Sequence, residues 1–352
     1  MKHIFTIHSH VTFLLAYSTI RHLKLDAKDV ILLSSGYSVR VGGYRVEPAY
    51  QKKIKGFFEK VREFNAPKSH DRYIDQLTGS EEFIAYIDLM SYYQKILVTH
   101  QKCAGFHFIE EGNGTYQSFD DMTDVTWAER SSGYRTNGFF DGSMWKAIVR
   151  VLRGYNLRLL SIPYNYMSFV NFKHTRFFCF SENSYYNAPV EKKIILRPGP
   201  NAELLEMAYG VSLEDEVIWI DGSNGRYTGL PESFYHDAID KAIKVLRNDG
   251  IIRDKVYVKL RPNEDTEKNY LCKALNGAGL KVELLPASTV LEALFIVSNN
   301  CKVIGNLSAA LEYAFCFGHE VYSIYSLFEK KVPTFFDRMD GFWSHTRLLS
   351  NQ

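Results

Sequence analysis

The chain has 352 residues, the length of two ordinary domains, and its 46% hydrophobic and 23% charged residues exclude long disorder. A formal net charge of only +2 excludes a broad basic footprint, so nucleic acid is not an expected partner. Five scattered cysteines (Cys103, Cys179, Cys272, Cys301 and Cys316) exclude a paired disulfide framework and lack metal-ligand spacing, which points to a reduced compartment.

The first elements read as a Rossmann-like start. His3 to Ile7 is a short β-rich run, Val11 to Leu23 fits a helix, and Val30 to Leu33 is a second strand; this spacing implies parallel pairing through a right-handed crossover. The run Val11 to Ile20 is approached through His8 and His10 and lacks a small-residue cleavage site, so it is not read as a signal peptide. From Glu81 to Gln101 the apolar spacing predicts one helix, followed by a strand over Gly105 to Ile109. A further helix is expected over Ser143 to Leu152 and a late strand over Arg176 to Phe180. Lys146, Arg150, Arg153 and Arg158 recur among Trp145, Val149, Val151, Leu152 and Leu157, a basic-aromatic stretch that leaves room for peripheral contact with an inner membrane. No apolar run reaches the roughly 18 residues of a spanning helix, so a cytoplasmic protein is expected.

Proline and glycine between Asn187 and Glu203 mark a junction, giving domains over 1–195 and 196–330 and a tail over 331–352 expected to be a helix packing back near that junction. Beyond it five strands (Val217 to Ile220, Lys255 to Leu260, Lys281 to Leu285, Cys301 to Gly305 and Glu320 to Ile324) alternate with helices over Pro231 to Asn248, Glu264 to Gly277, Val290 to Ser298 and Ser308 to Cys316. That alternation predicts a doubly wound parallel sheet. The expected fold class is therefore α/β and GT-B-like, two Rossmann-like domains facing a central cleft.

Four loops follow strands and carry polar groups, the place where open α/β sheets build their sites. In Glu110-Glu111-Gly112, two neighbouring carboxylates can raise one another's pKa and supply a general base, although a solvated acidic turn has the same composition. In Lys259-Leu260-Arg261-Pro262, the guanidinium fork of Arg261 suits a phosphate, or else an ordinary capping loop. Gly305-Asn306-Leu307-Ser308 opens a helix, where amides and the Ser308 hydroxyl can meet an anion; Ser308 also fits a simple N-cap. Asp221-Gly222-Ser223 is a glycine-rich turn at the same edge. His8, Ser9 and His10 form a further polar cluster suited to an acceptor. No third ligand stands at metal spacing, and no dinucleotide or P-loop fingerprint occurs.

Together these stretches resemble the bacterial GT-B sialyltransferases, including lipooligosaccharide sialyltransferases and polysialyltransferases. Phe108 to Tyr116 is similar to their acidic D/E-D/E-G motif, Lys259 to Pro262 stands at the place of their His-Pro motif, and Gly305 to Leu311 at that of their serine turn. The resemblance implies an inverting, metal-independent transferase with no cofactor. It would move a nonulosonic acid (sialic, pseudaminic or legionaminic) from a CMP-activated donor to an oligosaccharide or glycolipid acceptor. It implies Glu110 as general base with Glu111 as the alternative, an acceptor-side N-terminal domain, and donor contacts at Gly222, Ser223, Lys259, Arg261, Pro262, Asn306 and Ser308. Two departures stand out: Arg261 replaces the family histidine and cannot readily donate a proton, and Ser308 is followed by Ala309 rather than a second hydroxyl. Other readings keep the fold but use CMP-Kdo or a UDP- or GDP-hexose, or bind glycans without catalysis.

Overall fold

The computed structural model describes residues 1–36, 43–49, 66–88, 91–112, 115–116, 172–222, 232–260, 267–306, 308–328 and 345–350, with scattered positions between 148 and 170. The expected helix over Ser143 to Leu152, the candidate phosphate clamp Arg261 with Pro262, the turn residue Ser223 and the tail aromatics lie largely or wholly outside these residues. The chain divides into two compact units, Met1–Leu196 and Arg197–Gln352.

In the first unit, β1 (Lys2–Ile7), β2 (Val30–Ser34), β3 (Arg45–Pro48), β4 (Phe83–Ile87), β5 (Cys103–Ile109), β6 (Phe177–Cys179) and β7 (Lys193–Ile195) form one sheet. Its order is β3-β2-β1-β4-β5-β6-β7, and every pairing is parallel. Helices α1 (His10–His22), α2 (Ala66–Thr78) and α3 (Tyr92–Thr99) belong to the same unit. The strands β2 and β4 are buried on both faces, so they read as continuous apolar runs rather than alternating ones. Ile4, Ile31, Leu33, Phe83, Ala85, Ile87 and Phe108 pack there with Ile74 and Leu77 of α2 and Ile96 and Leu97 of α3.

The helix expected over Glu81 to Gln101 is corrected by this sheet. Phe83-Ile84-Ala85-Tyr86-Ile87 is the strand β4, and the helix begins only after it, capped at Ser91. The physical cause is the double burial of β4: an apolar run covered on both faces carries no period-2 signal to set it apart from a buried helix. The stretch Asn187 to Glu203 likewise holds more than a junction, since Lys193–Ile195 joins the first sheet as β7.

The second unit repeats the layout. Its strands β8 (Val217–Ile220), β9 (Lys255–Lys259), β10 (Lys281–Leu284), β11 (Lys302–Gly305), β12 (Glu320–Ser323) and β13 (Arg347–Leu348) lie in the order β10-β9-β8-β11-β12-β13, all parallel. Helices α4 (Ala202–Met207), α5 (Glu232–Asn248), α6 (Tyr270–Gly277), α7 (Leu291–Val297) and α8 (Ala309–Cys316) accompany them. Trp219 is fully buried among Ile239, Leu246, Val258, Ile304 and Tyr322. The described part of the tail is the edge strand β13 and not a returning helix, which raises the expected five strands to six. Two Rossmann-like doubly wound parallel sheets in one chain are the GT-B-like fold class.

In both sheets the order reverses beside the first strand made: between β1 and β4 in one unit, between β8 and β11 in the other. At such a switch point the loops leaving neighbouring strands diverge and open a crevice at the carboxyl edge. The polar residues that matter stand at these two edges.

Candidate functional site

At the first edge, β1 passes into α1 through His8 and Ser9 alone. The Ser9 hydroxyl accepts the Thr12 amide at 3.2 Å, while the Thr12 hydroxyl accepts the amides of Ser9 at 3.1 Å and His8 at 3.0 Å. This reciprocal cap satisfies donors that a helix start leaves unpaired and makes the turn tight. Ser9 is thereby committed to the cap, His10 opens α1 on an exposed position, and His8 is held at the strand's end.

His8 joins two carboxylates from two further strands. Its Nδ1 lies 3.1 Å from Oδ2 of Asp88, directly after β4, and its Nε2 lies 3.2 Å from Oε1 of Glu111, just beyond β5. Asp88 is buried, whereas His8 and Glu111 are each about one-third exposed at 33% and 28% of their side-chain surface. Hydrogen bonding to Asp88 first, and to Glu111 second, raises the imidazole pKa to about 10 against the opposing effect of burial. His8 is therefore an imidazolium at neutral pH, donating from both nitrogens.

The two neighbouring glutamates do not share a site. Glu110 points inward and is fully buried; its Oε2 accepts the Phe180 amide at 2.7 Å and the Ser181 amide at 3.4 Å, and its Oε1 accepts the Tyr116 hydroxyl. Burial pushes its carboxyl upward, while the Ser184 side chain first, and then these donors, pull it back. Glu111, one residue on, points to the opposite side and reaches His8. Gly112 then turns the chain at φ +109°, a conformation that side-chain-bearing residues rarely adopt, and its carbonyl accepts both the amide and the hydroxyl of Thr115, at 2.9 and 2.7 Å. The acidic turn thus divides its labour: one carboxylate anchors the loop, the other is presented at the edge.

At the second edge, Asp221 follows β8 and is buried, accepting the Tyr235 hydroxyl at 2.6 Å and the Asn269 side-chain amide at 2.7 Å. It ties α5 and the start of α6 to the central strand, and Gly222 follows it, half-buried. Lys259, at the end of β9, donates to the carbonyls of Pro286 at 2.9 Å and Ala287 at 2.6 Å. Burial lowers its pKa, and the buried Glu292 opposes that. Asn306 is buried beyond β11, and its Oδ1 has no hydrogen-bond partner among the described residues. Ser308 caps α8, its hydroxyl accepting the Ala310 amide at 3.2 Å. A Cβ on Gly305 would come within 3.1 Å of Leu311 Cδ2, which shows how closely the strand end approaches the helix.

Of the residues singled out from sequence, the structure brings His8 and Glu111 together, and brings Asn306 and Ser308 to one strand–helix turn. Asp88 was not singled out, because it falls inside the stretch read as helix. A carboxylate directly after the apolar run Phe83 to Ile87 was the available signal. Among the described residues no group of three metal-ligating side chains is placed to hold an ion, and no helix is long and apolar enough to cross a membrane.

No protein-family model matches the chain, and no curated protein matches it. Solved structures do. The UDP-GlcNAc 2-epimerase of Neisseria meningitidis bound to UDP-GlcNAc is 11% identical with a TM-score of 0.45, over 100% of this chain and 88% of that one. The glycotransferase of kitacinnamycin is 12% identical at 0.45, over 99% and 86%. WaaG, a glycosyltransferase involved in lipopolysaccharide biosynthesis, is 10% identical at 0.40, over 99% and 85%. Likeness at these scores is one of layout, and says nothing about reaction or ligand.

Proposed function

We propose that the chain is an inverting glycosyltransferase in which Glu111 is the general base. The observation that carries this is the presentation of Glu111 at the carboxyl edge of the first sheet: Oε1 is held by His8 at 3.2 Å, while the side chain keeps 28% of its surface exposed. A base needs that combination of fixed orientation and access. The sequence resemblance allowed either glutamate; Glu110, enclosed by Tyr116, Phe180 and Ser181, is better suited to hold the loop.

In the proposed step an acceptor hydroxyl gives its proton to Glu111 as its oxygen bonds to the anomeric carbon. The bond from that carbon to the donor phosphate breaks, its electron pair leaving with the nucleotide, and attack from the opposite face inverts the centre. The donor is a CMP-activated nonulosonic acid, on the strength of the sequence resemblance. Ser308 and the amides opening α8 meet its phosphate, and Arg261 balances the departing charge. Lys259, already donating to two carbonyls, supports the neighbouring loop instead. The acceptor is a surface glycan reached on the cytoplasmic side of a membrane.

Isothermal titration with CMP, UDP and GDP tests the donor, and turnover of CMP-sialic acid by Glu111→Gln and Glu110→Gln tests the base. Selective CMP binding, retained in a Glu111→Gln protein that no longer turns over, is the expected outcome. Binding of UDP or GDP with none of CMP refutes the donor; full activity in Glu111→Gln refutes the base.

A further inference from the structure

Three side chains from three different strand ends meet at the switch point of the first sheet: Asp88 after β4, His8 after β1 and Glu111 after β5. We infer that His8 is a positioning residue, a clamp held from behind by Asp88 that fixes the carboxylate of Glu111 at the exposed edge of the sheet. The functional half of this inference rests on Glu111 being the base; the structural half does not.

The charges explain why the array forms. His8 is only one-third exposed, and the partial burial of its ring opposes an imidazolium. Among the described residues the charged groups facing His8 are Asp88 from the β4 end and Glu111 from the β5 end, while α1 contributes the Thr12 hydroxyl to the His8 amide. Two carboxylates therefore offset that burial and hold the ring charged, as its pKa of about 10 reflects. Asp88 is the buried member and His8 lies between it and Glu111, so the order runs from interior to edge. An orienting acid, a histidine and a presented reactive group in series is a general way of fixing a side chain's geometry. Here the histidine donates both protons, so it orients Glu111 and takes no proton itself.

Without the clamp Glu111 would sample several rotamers at an exposed edge, and each lost orientation lowers the rate without touching the affinity for substrate. The expected signature is a fall in kcat of about 10- to 100-fold in His8→Gln with KM little changed. His8→Lys, which returns a positive charge to the same place, should recover part of the loss. Wild-type turnover should fall above pH 10 as the imidazolium is lost, and His8→Gln should lack that limb.

The test has two arms on the full chain. In the first, the His8 ring is titrated by NMR with ring-labelled histidine, in wild type, Glu111→Gln and Asp88→Asn. Titration near 10 that moves to lower pH in both variants supports the clamp. A ring that titrates near its ordinary value, or ignores both changes, overturns it whatever the enzyme does. In the second arm, turnover of CMP-sialic acid is compared across the His8 variants. A clamp seen by NMR with turnover untouched by His8→Gln overturns the positioning role. Loss of turnover in His8→Gln through KM alone overturns it too. Absence of turnover in wild type counts against the donor reading, and the NMR arm then decides on His8 alone.

Discussion

Replacing Glu110 should cost stability before it costs chemistry. Its carboxylate is fully buried; the hydrogen bonds it accepts from the Tyr116 hydroxyl and the Phe180 amide are short, and the one from the Ser181 amide, at 3.4 Å, is weak. Alanine leaves the two strong donors unsatisfied in the interior; at about 2 kcal/mol each the loss is about 4 kcal/mol. Glutamine keeps one oxygen for the Phe180 amide but turns an NH2 toward the Tyr116 hydroxyl, which must then rotate and lose its acceptor. It also removes the cost of burying a charge, the same cost that pushes the Glu110 carboxyl upward. The net loss for glutamine is about 1 kcal/mol. For a unit of this size each kcal/mol moves the midpoint by about 2–4 °C, so calorimetry should show a fall of about 2–4 °C for Glu110→Gln and about 8–16 °C for Glu110→Ala. At a temperature where the fold is intact, Glu110→Gln should retain most of its turnover. An unchanged melting temperature combined with the turnover loss expected of Glu111→Gln would refute the division of roles and return Glu110 to the chemistry.

Gly112→Ala should destabilise the same turn by about 1 kcal/mol or more, because alanine is strained at φ +109°. Urea denaturation reads this out, and turnover should fall with it as Glu111 loses its setting. Ser308→Ala removes the cap of α8 and should cost about 1 kcal/mol in thermal melts. The same variant should weaken CMP binding by calorimetric titration, while leaving the His8 titration in the other unit unchanged.

The second unit was the more legible in sequence. Its strands Val217 to Ile220, Lys255 to Lys259 and Lys302 to Gly305 are short β-rich runs followed in sequence by the breaker pairs Asp-Gly, Arg-Pro and Gly-Asn, so each stop was as clear as the strand. In the first unit β4 merged with α3 into one apolar stretch, because double burial erases alternation. The strands β3 and β7 were missed for the opposite reason: Arg45–Pro48 is largely exposed and Lys193–Ile195 is half-buried and three residues long, leaving too little apolar pattern to detect. The candidate site was legible in part. The acidic turn and the His8 cluster could be found from composition at strand ends, but which glutamate faces inward could not. That choice depends on Tyr116 and on amides 70 residues away in the chain, and a sequence does not display such closure.

The same long-range closure sets an order of events during synthesis. The centre of the first sheet, β3-β2-β1-β4-β5, can pair once residue 109 has left the ribosome. The amides of Phe180 and Ser181 that hold Glu110 emerge some 70 residues later, a gap of about 4–14 s at ordinary translation rates. For that interval the nascent chain carries five of the sheet's seven strands, an acidic turn that lacks the two amides closing on Glu110, and a β5 edge open to foreign strands. The segment between β5 and β6 is therefore the stretch where a pause in translation or a premature release would be most damaging to this protein.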